Sequence, residues 1–252
     1  METLRILEAR AIEEIEIMRM IFDQVWGLGG ADSAPSMVIQ SRYGGMCLLA
    51  YDGDRPIGAS YGFLAKLDGE VVLWSHSTAA LVQDHGVGGA LKLHQRELAS
   101  RRGLETIAWT FDPLVPRNAY FNLVKLGVEV VDFVEDLYGA LRAPSGEVHA
   151  SDRFVVRQRV DGGSRSLTVF DRVPPGARSW PEGDGARSWP EGDGDDRGLT
   201  YCRIDDSRGD IRGAGPRQTL RYLMSMGCPL VGIVVQRGKV TGYVFGEARE
   251  LT

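Results

Sequence analysis

A glycine-rich turn set between a strand and a helix constrains this chain more than any other feature. It reads Gln83-Asp84-His85-Gly86-Val87-Gly88. The apolar run Val71 to Leu81, VVLWSHSTAAL, precedes it and predicts a strand. Beyond it, Val87, Leu91, His94 and Leu98 fall on one face of a predicted helix, and Gly103 lies just past the helix end. Such a turn aims several backbone N–H groups at one point, and the positive end of the helix dipole adds to them. The place suits a phosphate or pyrophosphate.

Three phosphate loops compete for this segment. The dinucleotide pattern G-x-G-x-x-G is absent, since only Gly86, Gly88 and Gly89 are available. The nucleotide-hydrolase loop needs Gly-Lys-Ser/Thr, but Gly88 is followed by Gly89 and Ala90. The pattern Q/R-x-x-G-x-G/A does fit, with Gln83, Gly86 and Gly88 in place. It resembles the pyrophosphate loop of the GNAT superfamily of acyl-CoA-dependent N-acyltransferases. Taken alone, six residues also fit an ordinary glycine-rich turn.

The order of predicted elements agrees with that resemblance. Leu4 to Leu7 reads as a strand, and Ile12 to Trp26 as a helix with Ile15, Met18, Phe22 and Val25 on one stripe. A loop over 27–35 and a short helix near 36–42 follow. Met46 to Tyr51 and Ile57 to Leu64 are strands joined by the hairpin signal Asp52-Gly53-Asp54. A second hairpin over 66–70 leads into the strand before the glycine turn. Then come a strand over Thr106 to Phe111, a short helix over Asn118 to Lys125 and a strand over Val128 to Leu137. The expected fold class is α/β: a GNAT-like mixed sheet, antiparallel first and then partly parallel, flanked by helices, with a C-terminal α+β extension.

Further residues sharpen the likeness. Trp109-Thr110-Phe111-Asp112-Pro113-Leu114, Arg117-Asn118-Ala119, Asn122-Leu123 and Leu126-Gly127 resemble one subgroup of that superfamily, as do Ser75-His76 and Ser151-Asp152-Arg153-Phe154. The resemblance covers roughly the first 140 residues. The expected organisation is an acyl-CoA-binding core over 1–160, a linker over 161–199, and a helix and hairpin over 200–252. The linker contains a tandem nonapeptide, ARSWPEGDG, over 177–185 and again over 186–194. It is too polar to build a core and reads as exposed. In the extension, 216–226 predicts a helix, and Leu230 to Val235 with Val240 to Phe245 predicts a hairpin.

Composition narrows the partners. A net charge of −5 argues against a nucleic-acid partner, because such surfaces are basic. No apolar run reaches the roughly 20 residues that span a bilayer. The N-terminus has no signal-peptide core, and Cys47, Cys202 and Cys228 form neither a metal spacing nor a disulfide set, so a reducing cytoplasm is the expected setting. No metal is expected.

The resemblance implies acetyl-CoA or another acyl-CoA as co-substrate and a small-molecule amine as acceptor. A homodimer stays open as the assembly. The backbone N–H groups of His85, Gly86, Val87, Gly88, Gly89 and Ala90 are the expected pyrophosphate cradle. Leu81 and Gln83 lie where the family pairs a strand edge with the pantetheine amides. Asn118 stands where the family places an asparagine near the pantetheine arm; it also reads as a helix N-cap. His76 is the base candidate, because an imidazole changes charge around neutral pH; a hydrogen-bonded sheet histidine is the competing reading. Asp112 is a candidate for a substrate ammonium, with turn formation before Pro113 as its rival role. Arg117 is a candidate for a substrate carboxylate or the CoA phosphates. The family's general acid is a tyrosine four residues before the glycine closing the last core helix. Here that position is Leu123, which leaves the acid unassigned. A non-catalytic acyl-CoA-binding regulator, or another reaction at a CoA thioester, is the alternative function.

Overall fold

The structure is a computed structural model. It describes all residues except 1–3, 28–31, 83–84, 143–147, 164–166, 176, 180–198, 205–213, 238 and 247–252. Gln83 and the bulk of the tandem repeat, 180–194, therefore lie outside the described residues.

In chain order the elements are β1 (Leu4–Glu8), α1 (Ile12–Trp26), α2 (Ala34–Arg42), β2 (Met46–Asp52), β3 (Arg55–Leu67), β4 (Glu70–Ala80), α3 (Val87–Arg101), β5 (Thr106–Phe111) and α4 (Pro116–Ala119). A π-helical segment, Tyr120–Lys125, continues α4. Then follow β6 (Glu129–Val134), β7 (Leu141–Arg142), β8 (Val148–His149), β9 (Arg153–Arg159), β10 (Thr168–Phe170), β11 (Arg178–Ser179), β12 (Thr200–Arg203), α5 (Ala214–Ser225), β13 (Leu230–Gln236) and β14 (Lys239–Phe245). A seven-stranded sheet runs in the order β1-β2-β3-β4-β5-β9-β6. It is antiparallel from β1 to β4, and β4 pairs with β5 in parallel. This is the mixed α/β architecture the sequence predicts.

The chain forms two compact units. The first comprises 1–109, 142–149 and 157–163, and the second 110–141, 150–156 and 164–252. In the first, α1 and α2 cover one face of the sheet. Ile15, Met18, Ile21, Phe22 and Met37 from the helices pack with Cys47, Leu49, Ala59, Tyr61 and Ala79 from the strands. The amphipathic spacing of α1 brings its apolar stripe onto the sheet, with Glu13 and Glu14 in its first turn, where the dipole favours negative charge. The hairpins β2–β3 and β3–β4 close with two-residue loops, since Asp52 pairs with Arg55 and Leu67 with Glu70.

In the second unit, β10-β13-β14-β12-β11 form a separate five-stranded sheet. The segment expected as linker thus contributes β10 and β11, strands of three and two residues that are too short to show periodicity in sequence. Phe154 is fully buried between the rings of Phe111, Phe133 and Tyr243, at centroid distances of 5.8, 5.8 and 5.4 Å. The Tyr243 hydroxyl donates to the Pro113 carbonyl. Arg217 on α5 pairs with Glu135 at 2.9 Å and with Asp152 at 3.0 Å.

The β3–β4 pairing is interrupted once. Tyr61 pairs with Ser77 and Gly62 with Ser75, so His76 is an extra residue bulged out of β4. Gly62 is required opposite this bulge. A Cβ there would lie 2.9 Å from the Trp74 carbonyl oxygen, a backbone atom that cannot rotate away. Gly62→Val is expected to destabilise the fold by about 1–3 kcal/mol through overpacking. Chemical denaturation checks this; an unchanged midpoint would show that β4 yields without cost.

Candidate functional site

The first half of the site is the start of α3. Leu81 extends the β4 edge by donating its N–H to the Ile57 carbonyl at 2.8 Å. His85 and Gly86 are exposed, and Gly86 caps the helix with φ of +75°, a conformation that glycine adopts without strain. A side chain at Gly86 would meet nothing within 4 Å, so the space before the helix end is open. The first intrahelical bond runs from Ala90 N–H to the Gly86 carbonyl at 2.9 Å. The N–H groups of Val87, Gly88 and Gly89 therefore have no acceptor within the helix. Among the described residues no acidic side chain occupies the first turn, where the helix dipole favours negative charge. The geometry suits an anion.

The second half is the parting of β4 from β5. Their parallel pairing covers Leu73 with Ile107 and Trp74 with Ala108. Among the described residues no β4–β5 pair follows, although β4 continues to Ala80. The β4 edge from Ser75 onward thus presents backbone N–H and carbonyl groups that β5 does not take up.

His76, at the bulge, lies at the start of this edge. Its Nε2 is 3.4 Å from an Asp32 carboxylate oxygen, and both side chains are partly exposed. The rings of Tyr61 and Phe63 pack against the imidazole at 6.0 and 5.5 Å. Asp32 sits just before Ser33, which caps α2 by accepting the Ser36 N–H. Its main-chain carbonyl accepts from Arg19 Nε at 3.0 Å, tying the loop to α1. Sequence reading missed Asp32, because nothing local distinguishes it inside a glycine-rich loop. Tyr61 has a buried hydroxyl without a hydrogen-bond partner, and burial raises its ionisation well above the ordinary phenol range.

Sequence reading also missed a buried polar cluster on α3. The buried stripe of α3 is Val87, Leu91, Lys92, Gln95, Leu98 and Ala99; His94 is only half-buried, one position off the stripe. Lys92 Nζ donates to Ser75 Oγ at 2.7 Å, and Ser75 Oγ donates to Gln95 Oε1 at 2.7 Å. The Lys92 ammonium also stands 3.9 Å over the centre of the Trp109 ring. Gln95 is fully buried, and its Nε2 has no hydrogen-bond partner. Burial pushes the Lys92 ammonium down to about 7. The signal was available in the spacing, since Lys92, Gln95 and Ala99 follow the i, i+3, i+7 rule beside Leu91 and Leu98.

The remaining expected residues belong to the second unit. Asp112 is buried, and one carboxylate oxygen accepts the Leu114 N–H at 2.9 Å, an Asx turn; the other lies 3.8 Å from Arg153. Asn118 is not a helix N-cap: Val115 is, and Asn118 stands in the first turn of α4, exposed, accepting at its carbonyl from Asn122 Nδ2 at 2.8 Å. Pro116 sets that start, because its ring fixes a helical φ and it lacks the N–H that a first-turn residue leaves unbonded. Arg117 is exposed on the same helix, and Leu123 is buried in the π segment. Cys47 and Cys202 are buried, and burial pushes both thiols up to about 12, which rules them out as thiolate nucleophiles near neutral pH. Among the described residues no His, Cys, Asp and Glu gather into a metal-binding group, and no helix is long and apolar enough to cross a membrane.

The fold and site together define a mixed α/β protein with an anion-suited helix terminus beside a parted pair of parallel strands. No protein-family model and no curated protein matches the chain. Solved structures do overlap with it. An N-acetyltransferase from Staphylococcus aureus Mu50 does so at 9% identity and a TM-score of 0.48, over 63% of this chain and 99% of its own. A GNAT family acetyltransferase from Elizabethkingia anophelis with acetyl-CoA bound overlaps at 16% identity and 0.46, over 62% and 97%. A Bacillus subtilis acetyltransferase in complex with CoA overlaps at 17% and 0.48, over 62% and 99%.

The buried lysine makes stability depend on pH. An unfolded lysine titrates near 10.4, and Lys92 near 7 in the fold, so between these values the unfolded chain binds more protons. Stability from this residue therefore rises with pH across that window and is at its lowest below pH 7. Lys92→Met removes the dependence. The stability difference between wild type and Lys92→Met should shift in favour of wild type by a few kcal/mol between about pH 7 and 10. Denaturation midpoints at both pH values check it, and a constant difference would show that Lys92 is solvated.

Proposed function

We propose that this chain is an acyl-CoA-dependent N-acyltransferase. It transfers an acetyl or other short acyl group directly from CoA to a small amine or amino-acid-like metabolite. The observation that carries the reading is the joint occurrence of two features on consecutive elements. The β4 edge loses its β5 partner at Ser75, and the next element in the chain, α3, begins with N–H groups that have no acceptor within the helix. A pantetheine arm is an extended chain with amides that can pair with a strand edge. Its pyrophosphate is an anion of the kind helix termini bind.

The residues present fit that co-substrate. A Cβ at Gly86 would meet nothing within 4 Å, and the N–H groups of Val87, Gly88 and Gly89 have no acceptor within the helix; His85 precedes them, and the Ala90 N–H goes to the Gly86 carbonyl. The roles of Leu81 and Gln83 at the pantetheine amides rest on the resemblance; the Leu81 N–H itself is taken by the Ile57 carbonyl. His76 receives the amine proton, and the Asp32 carboxylate beside its Nε2 stabilises the imidazolium that forms. The roles of Asn118 at the pantetheine arm and of Asp112 and Arg117 toward the substrate rest on the resemblance alone.

A second reading has one observation in its favour. Leu123, buried and without a proton to give, occupies the general-acid position of the family the sequence resembles. A non-catalytic acyl-CoA-binding regulator would need no acid there.

Gly88→Val places a branched side chain among the N–H donors. It is expected to weaken acyl-CoA binding about tenfold or more, the equivalent of one charge-assisted hydrogen bond. Calorimetric titration with CoA checks this, and unchanged affinity in a folded variant would remove the central claim.

The base role predicts a separate effect. His76→Ala should lower turnover by about 10²- to 10⁴-fold with little change in CoA affinity. Thiol release with a panel of amines measures the turnover, and calorimetry the affinity. Glutamine keeps polar contacts but does not act as a base, so full activity in His76→Gln would assign His76 a structural role.

A further inference from the structure

Lys92 joins the two strands at the point where they part. The last β4–β5 pair is Trp74 with Ala108, so Ser75 and Trp109 are the first residues beyond it. From α3, Lys92 reaches both: Ser75 Oγ at 2.7 Å and the Trp109 ring at 3.9 Å. A lysine is a costly way to fill a core. Its ammonium carries three donors, and among the described residues one hydrogen-bond acceptor meets it, Ser75 Oγ. The neighbouring Gln95 Nε2 is buried and unpartnered as well. Around Lys92, β4 supplies Ser75, β5 supplies Trp109 and α3 supplies Gln95. The nearest other titratable group on β4 is His76, which packs with Tyr61, Phe63 and Asp32. Among the described residues no carboxylate pairs with Lys92, and burial alone holds its ammonium near neutral titration.

Resting on the reading of the chain as an acyl-CoA enzyme, we propose that Lys92 is the proton source for the departing CoA thiolate, and that Ser75 Oγ hands the proton on. The proposal gives the reaction the acid that Leu123 cannot be. The amine nitrogen bonds to the carbonyl carbon of the thioester and loses its proton to His76. The C–S bond breaks, and its electron pair goes to sulfur. The Ser75 hydroxyl turns from Gln95 Oε1 to sulfur and gives up its proton, and the Lys92 ammonium restores it. Lys92 is left as a neutral amine, a form its dry surroundings favour, and it recovers a proton from solvent before the next turnover. Lys92 acts through Ser75 and is a positioning residue in this sense.

The test reads thiol release from acetyl-CoA with a panel of amines in wild type, Lys92→Met, Lys92→Arg and Ser75→Ala, with CoA affinity measured by calorimetry, and repeats it with an acetyl thioester whose leaving thiol is more acidic. Loss of a proton donor should lower turnover with acetyl-CoA by about tenfold or more in Lys92→Met and Ser75→Ala with little change in CoA affinity, and Lys92→Arg, whose guanidinium does not give up a proton, should resemble Lys92→Met. The loss should shrink with the more acidic leaving thiol, which departs without a proton. Unchanged turnover in the variants, or an equal loss with both leaving thiols, with CoA bound in each, would overturn the proposal and leave the acyl-CoA reading intact. Absence of CoA binding to wild type, or of thiol release by it, would overturn both. Should Lys92→Met fail to fold, the Ser75→Ala comparison decides alone.

Discussion

The parting of β4 from β5 after two residue pairs organises the first unit. A parallel pair is held by evenly spaced main-chain bonds, and where they stop, each strand keeps unused donors and acceptors. Three local features converge on that point. The bulge at His76 re-aims β4 just beyond the last pair, Gly62 leaves room for the displaced backbone, and Lys92 spans Ser75 and Trp109 on the α3 side. The helix that carries Lys92 is also the helix whose N-terminus offers the free N–H groups. A single element therefore carries unbonded N–H groups at its first turn and a buried lysine one turn later.

The two faces of β4 have opposite chemistry. On the face covered by α1 and α2, His76 meets Asp32 and two aromatic rings at a partly exposed position, so a proton can reach it and leave. On the α3 face, Ser75, Lys92 and Gln95 form a buried hydrogen-bonded chain. Desolvation disfavours a charged lysine there and brings its titration down to about 7.

The second unit is held by different means. Aromatic edge contacts around Phe154 and the bond from Tyr243 to the Pro113 carbonyl join β9, β14 and the turn after β5. Arg217 gathers Glu135, Asp136 and Asp152, so that a helix near the C-terminal end of the chain is secured by residues that directly follow β6 and precede β9. Asp152 is nearly buried, and desolvation raises its ionisation despite the arginine.

Much of the fold was legible in the sequence because its signals are local. The limits of α1 and β5, the hairpin at Gly53 and the glycine turn before α3 follow from periodicity and turn chemistry within a few residues, and the structure places them where these predict. Val87, Gly88 and Gly89 could be placed in the first turn of a helix for the same reason: a helix terminus is a property of adjacent residues. What only the tertiary structure decided depends on residues far apart in the chain. Asp32 reaches His76 across more than forty positions. Strand β9 inserts between β5 and β6, and short strands before and after the repeat join one sheet. Asp112 turned out committed to a turn and to Arg153, a partner no spacing reveals. Lys92 shows the difference most plainly. In sequence it is one more helical lysine; burial against Trp109 and contact with Ser75 make it a titratable group in the core, because desolvation is set by what surrounds a charge in space and not by its neighbours along the chain.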